Sequence, residues 1–510
     1  MMALHEGLIA GFNHAPASLG RVLVLGLGKS GKAASSYCAA LLGGRVDALT
    51  IAAGARNDNA CAFAREMERQ GARVHFEYEH FGEAYDLCIA SPGISQFSDF
   101  YKSAQAASAE IISEIEFAWR ECPDDCTWIA ITGTNGKTTT TALAAHLLQT
   151  AGLSAVPVGN IGDVCLTAVS QRSASYYVVE VSSYQLASTK LFAPKVAVLL
   201  NITPDHLSWH RSHEAYVDAK LKVLANLSKA DGAVAVLDAT DDTVRATVRS
   251  LKALGDDERG FAYIPIGTAA GIGESMIARC GSANAAYLDG DKLVVEFGGA
   301  RNELVRVDEL QIKGPHNVSN ALAAASSALA VGVSAEDVSR GLRTFAPLEH
   351  RIEPAGTVNG VSFYNDSKAT NVDATLVAFN AFAPGSSIVL LGGRDKGTDL
   401  APLVQAARES SSAVICFGEA RERFLAAFTS DVPADCTLVV YEADHLRDAF
   451  DLACDLAKPG QVVLLSPACA SFDEFSCFEE RGDVFKRYVA EYATRIAADG
   501  DSEAGQGGAV

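Results

Sequence analysis

Lys137 stands in Thr127-Trp-Ile-Ala-Ile-Thr-Gly-Thr-Asn-Gly-Lys-Thr-Thr-Thr140, behind two closely spaced glycines and ahead of a run of hydroxyls. Trp128, Ile129 and Ile131 read as the end of a buried strand, Gly133 and Gly136 permit a tight turn, and Thr138 onward reads as a helix start. A strand, a glycine loop with a lysine and a helix N-terminus make a phosphate cradle. Backbone N–H groups and the helix dipole face the anion, the lysine neutralises it, and a hydroxyl holds the Mg²⁺ that travels with it. On this reading Gly133, Thr134, Asn135, Gly136, Lys137, Thr138 and Thr139 hold the phosphates of ATP. The loop is the short Gly-x-x-Gly-Lys-Thr form, since the longer Gly-x-x-x-x-Gly-Lys pattern would need a glycine at Ile131. The bland alternative, a glycine turn with a surface lysine, is disfavoured by the strand before it and the helix after it.

Two further apolar runs deliver polar groups at their ends. Tyr176-Tyr-Val-Val-Glu180 ends on a carboxylate suited to Mg²⁺, although a strand-end cap is the plainer role for Glu180. Val196-Ala-Val-Leu-Leu-Asn-Ile-Thr-Pro-Asp-His206 ends on Asp205 and His206. A lone loop histidine is more often hydrogen-bonded than metal-bound. Strand ends in an open parallel sheet, however, converge on one crevice, so lysine, glutamate and histidine would meet. Lys220 and Lys222 fall on a helix expected over about 212–228, where a lysine pair ordinarily marks a solvated face. Asn317 and Asn320 share one face of the first turn of a later Ala-rich helix, with capping the competing role for Asn317.

These groups need a scaffold of alternating strands and helices, and the chain has one. Its 510 residues exceed what a single core holds, and 49% of them are hydrophobic. The net charge of −20 argues against nonspecific binding to nucleic acid or acidic membrane, so an anionic ligand depends on local lysines, arginines and helix ends. The 12 cysteines show no metal-like pair of pairs; Cys122 and Cys126 are the closest couple. With no secretory segment visible and no apolar run of about 18 residues, free thiols in a cytoplasmic protein are expected.

Near the start, Arg21-Val-Leu-Val-Leu-Gly-Leu-Gly-Lys-Ser-Gly31 runs a strand into Gly26, Gly28 and Gly31, as in dinucleotide folds. The acidic residue expected at the end of the next strand is missing, with Thr50 standing near that end, so a diphosphate at a helix N-terminus is expected without NAD. Residues of about 240–310 alternate turns and short strands and read as an insertion or sheet margin without chemistry. A third unit begins after Leu348-Glu-His-Arg-Ile-Glu-Pro354, runs through Val361-Ser-Phe-Tyr-Asn-Asp-Ser-Lys-Ala-Thr-Asn371 and Ser387-Ile-Val-Leu-Leu-Gly-Gly-Arg-Asp-Lys396, and closes with Gln461-Val-Val-Leu-Leu-Ser-Pro-Ala-Cys-Ala-Ser-Phe472. The expected fold is α/β with three doubly wound domains, at 1–113, 114–348 and 349–495, and a disordered tail over 496–510.

The combination of Gly133-Thr-Asn-Gly-Lys-Thr, Glu180-Val-Ser-Ser-Tyr-Gln-Leu, Asn201-Ile-Thr-Pro-Asp-His, His316-Asn-Val-Ser-Asn, Glu349-His-Arg and Asn365-Asp-Ser-Lys-Ala-Thr-Asn resembles the Mur ligases, over about residues 20–490. Within them, the last loop and Ser466-Pro-Ala-Cys-Ala-Ser-Phe-Asp resemble the members that add D-glutamate. The resemblance implies a Rossmann-like UDP-binding domain, a central P-loop ATPase domain and a Rossmann-like C-terminal domain. It implies a cytoplasmic, monomeric enzyme of peptidoglycan synthesis that couples ATP to amide-bond formation between UDP-N-acetylmuramoyl-L-alanine and D-glutamate through an acyl phosphate. Thr138 and Glu180 would hold one Mg²⁺, and His206 a second, with Lys220 matching a carbamylated lysine. Asn320, Arg351 and Asp366 match nucleotide contacts, and Lys368 a catalytic lysine. Gly28, Lys29, Ser30, Thr50 and Asn160 would touch the UDP-sugar; Thr370, Lys396, Ser471, Phe472 and Phe478 would form the D-glutamate pocket. The competing readings are another ligase of this architecture, such as folylpolyglutamate synthase, and a phosphate-loop switch that binds a protein partner. The switch would not need the polar strand ends of the third domain. A diamino-acid-adding Mur ligase is disfavoured by the lack of an Asp-Asn-Pro-Arg loop.

Overall fold

The computed structural model describes residues 7–77, 81–312, 314–379, 381–395, 397–433 and 436–506. They form two compact units, one of residues up to Leu310 with Pro315–Phe345, the other of Gln311–Gly314 with the chain from Ala346 onward.

The first unit holds two sheets. One is wholly parallel, in the spatial order Arg73–Phe76, Val46–Ala53, Gly20–Leu25, Tyr85–Ala90, Ser108–Ser113. The chain leaves its central strand through Gly26 at φ +85° and enters the helix Lys29–Ala39. A Cβ on Gly31 would lie 2.0 Å from the carbonyl oxygen of Gly26, so this turn closes only with glycine.

The other sheet has nine strands. Thr127–Thr132 lies between Tyr176–Glu180 and Val196–Leu199, with Ala155–Gly159 at one edge. Beyond Val196–Leu199 come Val234–Asp238, Ala262–Gly267 and Ala285–Asp289, then the antiparallel Lys292–Phe297 and Ala300–Arg306. The 240–310 stretch supplies the margin of this sheet, but it also holds the helices Asp242–Ala253, Asp256–Arg259 and Gly273–Cys280, which the expected run of turns and short strands did not include. Each fully buried large apolar side chain of the central strands, such as Trp128 or Ile131, contributes about 1.5–3 kcal/mol.

The first two sheets share a continuous core that includes Val24, Phe117, Trp119, Phe192 and Leu199. The helix Glu114–Arg120, which begins at the expected boundary, is buried at every residue. A helix covered on all sides ties its two sheets into one body.

In the second unit the order is Glu353–Val358, Val361–Asn365, Val462–Ala468, Ser387–Gly392, Ser411–Phe417, Val439–Glu442, parallel except for the first strand. The last strand in sequence does not close the sheet, as expected, but inserts at its centre. Its Val463, Leu464 and Leu465 are all fully buried, which suits a strand covered on both faces.

Two other expectations change. The helix expected over about 212–228 runs as His213–Leu221 and tightens to 3₁₀ turns at Lys222–Leu224 and Leu227–Lys229. The tail expected to be disordered continues the helix Phe478–Gln506, because no proline interrupts the alanines and acids after Tyr492; residues 507–510 lie outside the described residues. No described helix is long and apolar enough to cross a membrane.

Candidate functional site

The strand Thr127–Thr132 passes into Gly133 at φ +158° and Gly136 at φ +84°, and Lys137 opens the helix Lys137–Thr150. Asn201, at the end of the neighbouring strand, holds the loop twice: its Oδ1 accepts from Asn135 N at 2.7 Å, and its Nδ2 donates to Asn135 O at 3.1 Å. Thr134 points inward, its hydroxyl 2.9 Å from that of Tyr216. Asn320 closes the other side, its Oδ1 accepting from the Thr140 hydroxyl at 3.2 Å and its Nδ2 donating to Asn317 Oδ1 at 3.0 Å. A Cβ on Gly136 would meet Asn320 Oδ1 at 2.4 Å, so glycine is required there by both conformation and contact. Asn317 is not a cap, because its helix already starts at Pro315. Its amide orients Asn320 instead.

Two ammonium groups converge on one carbonyl of this loop. Lys137 donates to Gly133 O at 2.9 Å and to Thr134 O at 2.7 Å, while Lys220 donates to the same Gly133 O at 2.7 Å. Lys137 thus folds back on its own loop, onto these two carbonyls. Lys220 is 1% exposed and sits 4.7 Å over the Tyr216 ring, so the expectation of a solvated lysine face fails. Burial holds its ammonium well below the usual lysine range; Lys137 pushes the same way, and Asp205 and Glu180 oppose. Lys222 is half-buried and bonds Ala187 O, and burial also lowers it.

Glu180 ends its strand with 1% exposure. Asn160 Nδ2 donates to its Oε1 at 2.9 Å, and its Oε2 has no hydrogen-bond partner among the described residues. A buried carboxylate oxygen without a donor leaves room for water or a hard cation beside it. The described residues contain no cluster of three or more His, Cys, Asp or Glu able to hold a metal. A Mg²⁺ bound largely through phosphate and water needs only one or two protein ligands, so Glu180 and the buried Thr138 fit it. Lys220 as an ammonium does not. His206 carries φ +54° and packs its ring 4.7 Å from that of Tyr184. All 12 cysteines are free thiols.

The expected UDP-sugar residues divide. Asn160 belongs to the phosphate-loop cluster through Glu180. Gly28 precedes the first helix of the chain, which starts at Lys29 and Ser30; Lys29 lines a 550 Å³ cleft along that helix with Ser36, Tyr37, Leu166 and Thr167. Thr50 is corrected. Its strand continues to Ala53, so Thr50 is 2% exposed inside the strand and cannot reach the strand-end loop.

The second unit gathers another polar cluster. Asp366 follows its strand, 4% exposed, accepting from Ser466 Oγ at 2.6 Å and Ile352 N at 3.2 Å. Burial pushes it up to about 7, against Ser466, Arg351 and Arg481, which lower it. The Lys368 ammonium lies 5.0 Å over the Phe478 ring, and Thr370 N donates to Lys368 O at 2.8 Å. Ser471 is 2% exposed and its neighbour Phe472 is 59% exposed, a large apolar side chain offered to solvent beside a polar loop. Lys396 lies outside the described residues.

The sequence reading missed Asn201, Tyr216, His210 and Arg481. Tyr216 stands four residues before Lys220, a spacing that places both on one helix face and could have flagged it. His210 is fully buried, its Nε2 2.9 Å from Ser183 Oγ, and no spacing signals that.

A profile of the Mur ligase middle domain matches residues 131–328, and one of the Mur ligase glutamate ligase domain matches residues 350–469. The chain is 36% identical over 480 residues to the UDP-N-acetylmuramoylalanine–D-glutamate ligase of Thermoanaerobacter pseudethanolicus, covering 92% of this chain and 98% of that one. It is 37% identical to the enzyme of the same name from Salinibacter ruber, covering 92% and 97%. Among solved structures it is similar in fold to a UDP-N-acetylmuramate-alanine ligase from Thermotoga maritima, with TM-score 0.52, 16% identity and coverage of 93% and 99%. A pseudomurein peptide ligase type C from Methanothermus fervidus gives TM-score 0.51 and 18% identity, with coverage of 87% and 96%. The glycine loop with its buried lysine and glutamate, and the full-length likeness, lead to one conclusion: the chain belongs to the Mur ligase family, among the UDP-N-acetylmuramoylalanine–D-glutamate ligases.

Proposed function

We propose that this protein joins D-glutamate to UDP-N-acetylmuramoyl-L-alanine at the expense of ATP, in cytoplasmic peptidoglycan precursor synthesis. The observation that carries the reading is the glycine loop running from Gly133 into the helix Lys137–Thr150, with Lys137 folded onto it, beside a Glu180 oxygen that has no hydrogen-bond partner among the described residues. A glycine loop that opens a helix, with a lysine at the helix start, is built for phosphate.

In this reading residues 1–113 take the UDP group, 114–348 take ATP and 349–495 take the amino acid. Gly28, Lys29, Ser30 and Asn160 hold the nucleotide sugar. Backbone groups from Gly133 to Thr139 cradle the phosphates, Lys137 neutralises the phosphoryl group in transfer, and Asn320, Arg351 and Asp366 contact the nucleotide. The substrate carboxylate attacks the terminal phosphorus, ADP leaves, and an acyl phosphate forms. The D-glutamate amine then attacks the acyl carbon and phosphate leaves, carrying the bonding pair. No protein nucleophile is needed; alignment and charge neutralisation do the work.

Thr138 and Glu180 would hold one Mg²⁺ and His206 a second; bound there, the ions supply positive charge against the phosphate oxygens. Lys220 is read as a carbamate. Its burial favours the neutral amine, which adds to CO₂ and loses a proton, so that a cation becomes an anionic oxygen donor. Lys368 acts beside the acyl phosphate, and Thr370, Lys396, Ser471, Phe472 and Phe478 shape the amino-acid pocket.

The test is phosphate release with ATP, UDP-N-acetylmuramoyl-L-alanine and D-glutamate, each omitted in turn. The reading expects release only with all three. Release from ATP alone at the full rate would favour the switch or hydrolase alternative.

A further inference from the structure

Arg481 lies in the first turn of the helix Phe478–Gln506 and is 0% exposed. Its Nε donates to Ser367 Oγ at 2.9 Å, its Nη2 to Ser367 O at 2.8 Å and Cys469 O at 3.1 Å, and its Nη1 to Ala470 O at 3.3 Å. No carboxylate makes an ion pair with it among the described residues; Asp473, Glu474 and Asp366 act on it only through space. Burying a cation without a paired anion is costly, so its place has to be explained by the groups it holds.

Those groups lie on two loops, and a third loop is tied to one of them. Ser367 follows the strand Val361–Asn365, and Cys469 and Ala470 follow Val462–Ala468. The third loop follows Ser387–Gly392: Arg394 N donates to Ala470 O at 2.8 Å, and a Cβ on Gly393 would lie 3.0 Å from Nη1 of Arg481. The helix itself is tied in, since the Ser367 hydroxyl donates to Phe478 O at 2.8 Å. One guanidinium therefore fixes the chain within three residues of Lys368, Thr370, Ser471, Phe472 and Phe478. A planar fork of five donors can serve four acceptors divided between two loops, which a lysine ammonium cannot.

We propose that Arg481 is a positioning residue for the amino-acid pocket, clamping two of its loops directly and a third through Ala470, and setting a buried positive charge behind a site for a dicarboxylate. This rests on the reading of the second unit as the D-glutamate end. The group stays charged at neutral pH even though burial lowers it to about 10.

The experiment measures KM for each of the three substrates by phosphate release in the parent, Arg481→Gln, Arg481→Lys and Arg481→Ala, with melting temperatures alongside. A parent idle with D-glutamate overturns the underlying reading, and the clamp with it. Given an active parent, Arg481→Gln is expected to raise KM for D-glutamate by about 30-fold or more, with the other two KM values within about threefold. Arg481→Lys recovers part of that loss, and added guanidinium restores activity to Arg481→Ala. An unchanged KM for D-glutamate, or three KM values rising together with a lowered melting temperature, overturns the clamp. Should Arg481→Gln fail to fold, Ser367→Ala, which removes the Nε acceptor, decides. A rise of about fivefold confined to D-glutamate supports the clamp, and none or a uniform one refutes it.

Discussion

Lys137 and Lys220 carry different work, although they share one carbonyl. Lys137→Ala removes the side chain that neutralises the phosphoryl group, so turnover should fall by about 10³-fold or more with the fold intact. Near-parental turnover in the purified, folded variant would refute that role. Lys220→Ala should be nearly inactive, and added formate or acetate should restore part of its activity by filling the space of a carbamate. Lys222→Ala should keep most of its activity, since its ammonium bonds Ala187 O and none of the phosphate-loop groups. A dead Lys222→Ala beside a fully active Lys220→Ala would reverse the assignment. At this scale the sequence was informative where a motif fixes backbone and side chain together, as in Gly133 to Thr138. It was silent on burial: nothing in the spacing of Lys220 and Lys222 says that one is sealed and the other half-covered. Arg481 was invisible for the same reason, because an arginine in a helix reads as surface until the loops around it are placed.

The elements explain why strand ends were legible and strand order was not. Apolar runs ending in Glu180 and in Asp205 and His206 were legible as strands, and in the structure those strands flank the phosphate-loop strand. The central position of Val462–Ala468 depends on which strand outcompetes the others for burial on both faces, and Thr50 was misplaced because the strand runs on to Ala53, three residues beyond it. Asp366 gives a test at this scale. Its carboxyl is pushed up to about 7 in the fold, from an ordinary value near 3.8. Between about pH 4 and 7 the native state therefore holds a proton that the unfolded chain has lost, and stability falls as pH rises through that window. Asp366→Asn cannot titrate, so its melting temperature should depend less on pH there than the parent's. Identical slopes in the two proteins would contradict the raised carboxyl.

For the whole molecule, three strand-and-helix units were legible from alternating apolar runs, but the shared core of the first two was not. The helix Glu114–Arg120, which starts at the expected domain boundary, is buried throughout in the structure. The central claim is a ligase that takes D-glutamate as its acceptor. It is tested most directly by phosphate release with ATP and UDP-N-acetylmuramoyl-L-alanine, comparing D-glutamate with L-glutamate and identifying the product by mass. A pocket whose buried polar groups are matched to one enantiomer rejects the other by about 10²-fold or more. The account predicts release and the D-glutamyl adduct with D-glutamate, and near-background release with L-glutamate. Comparable turnover with both, or release without the adduct, would contradict it.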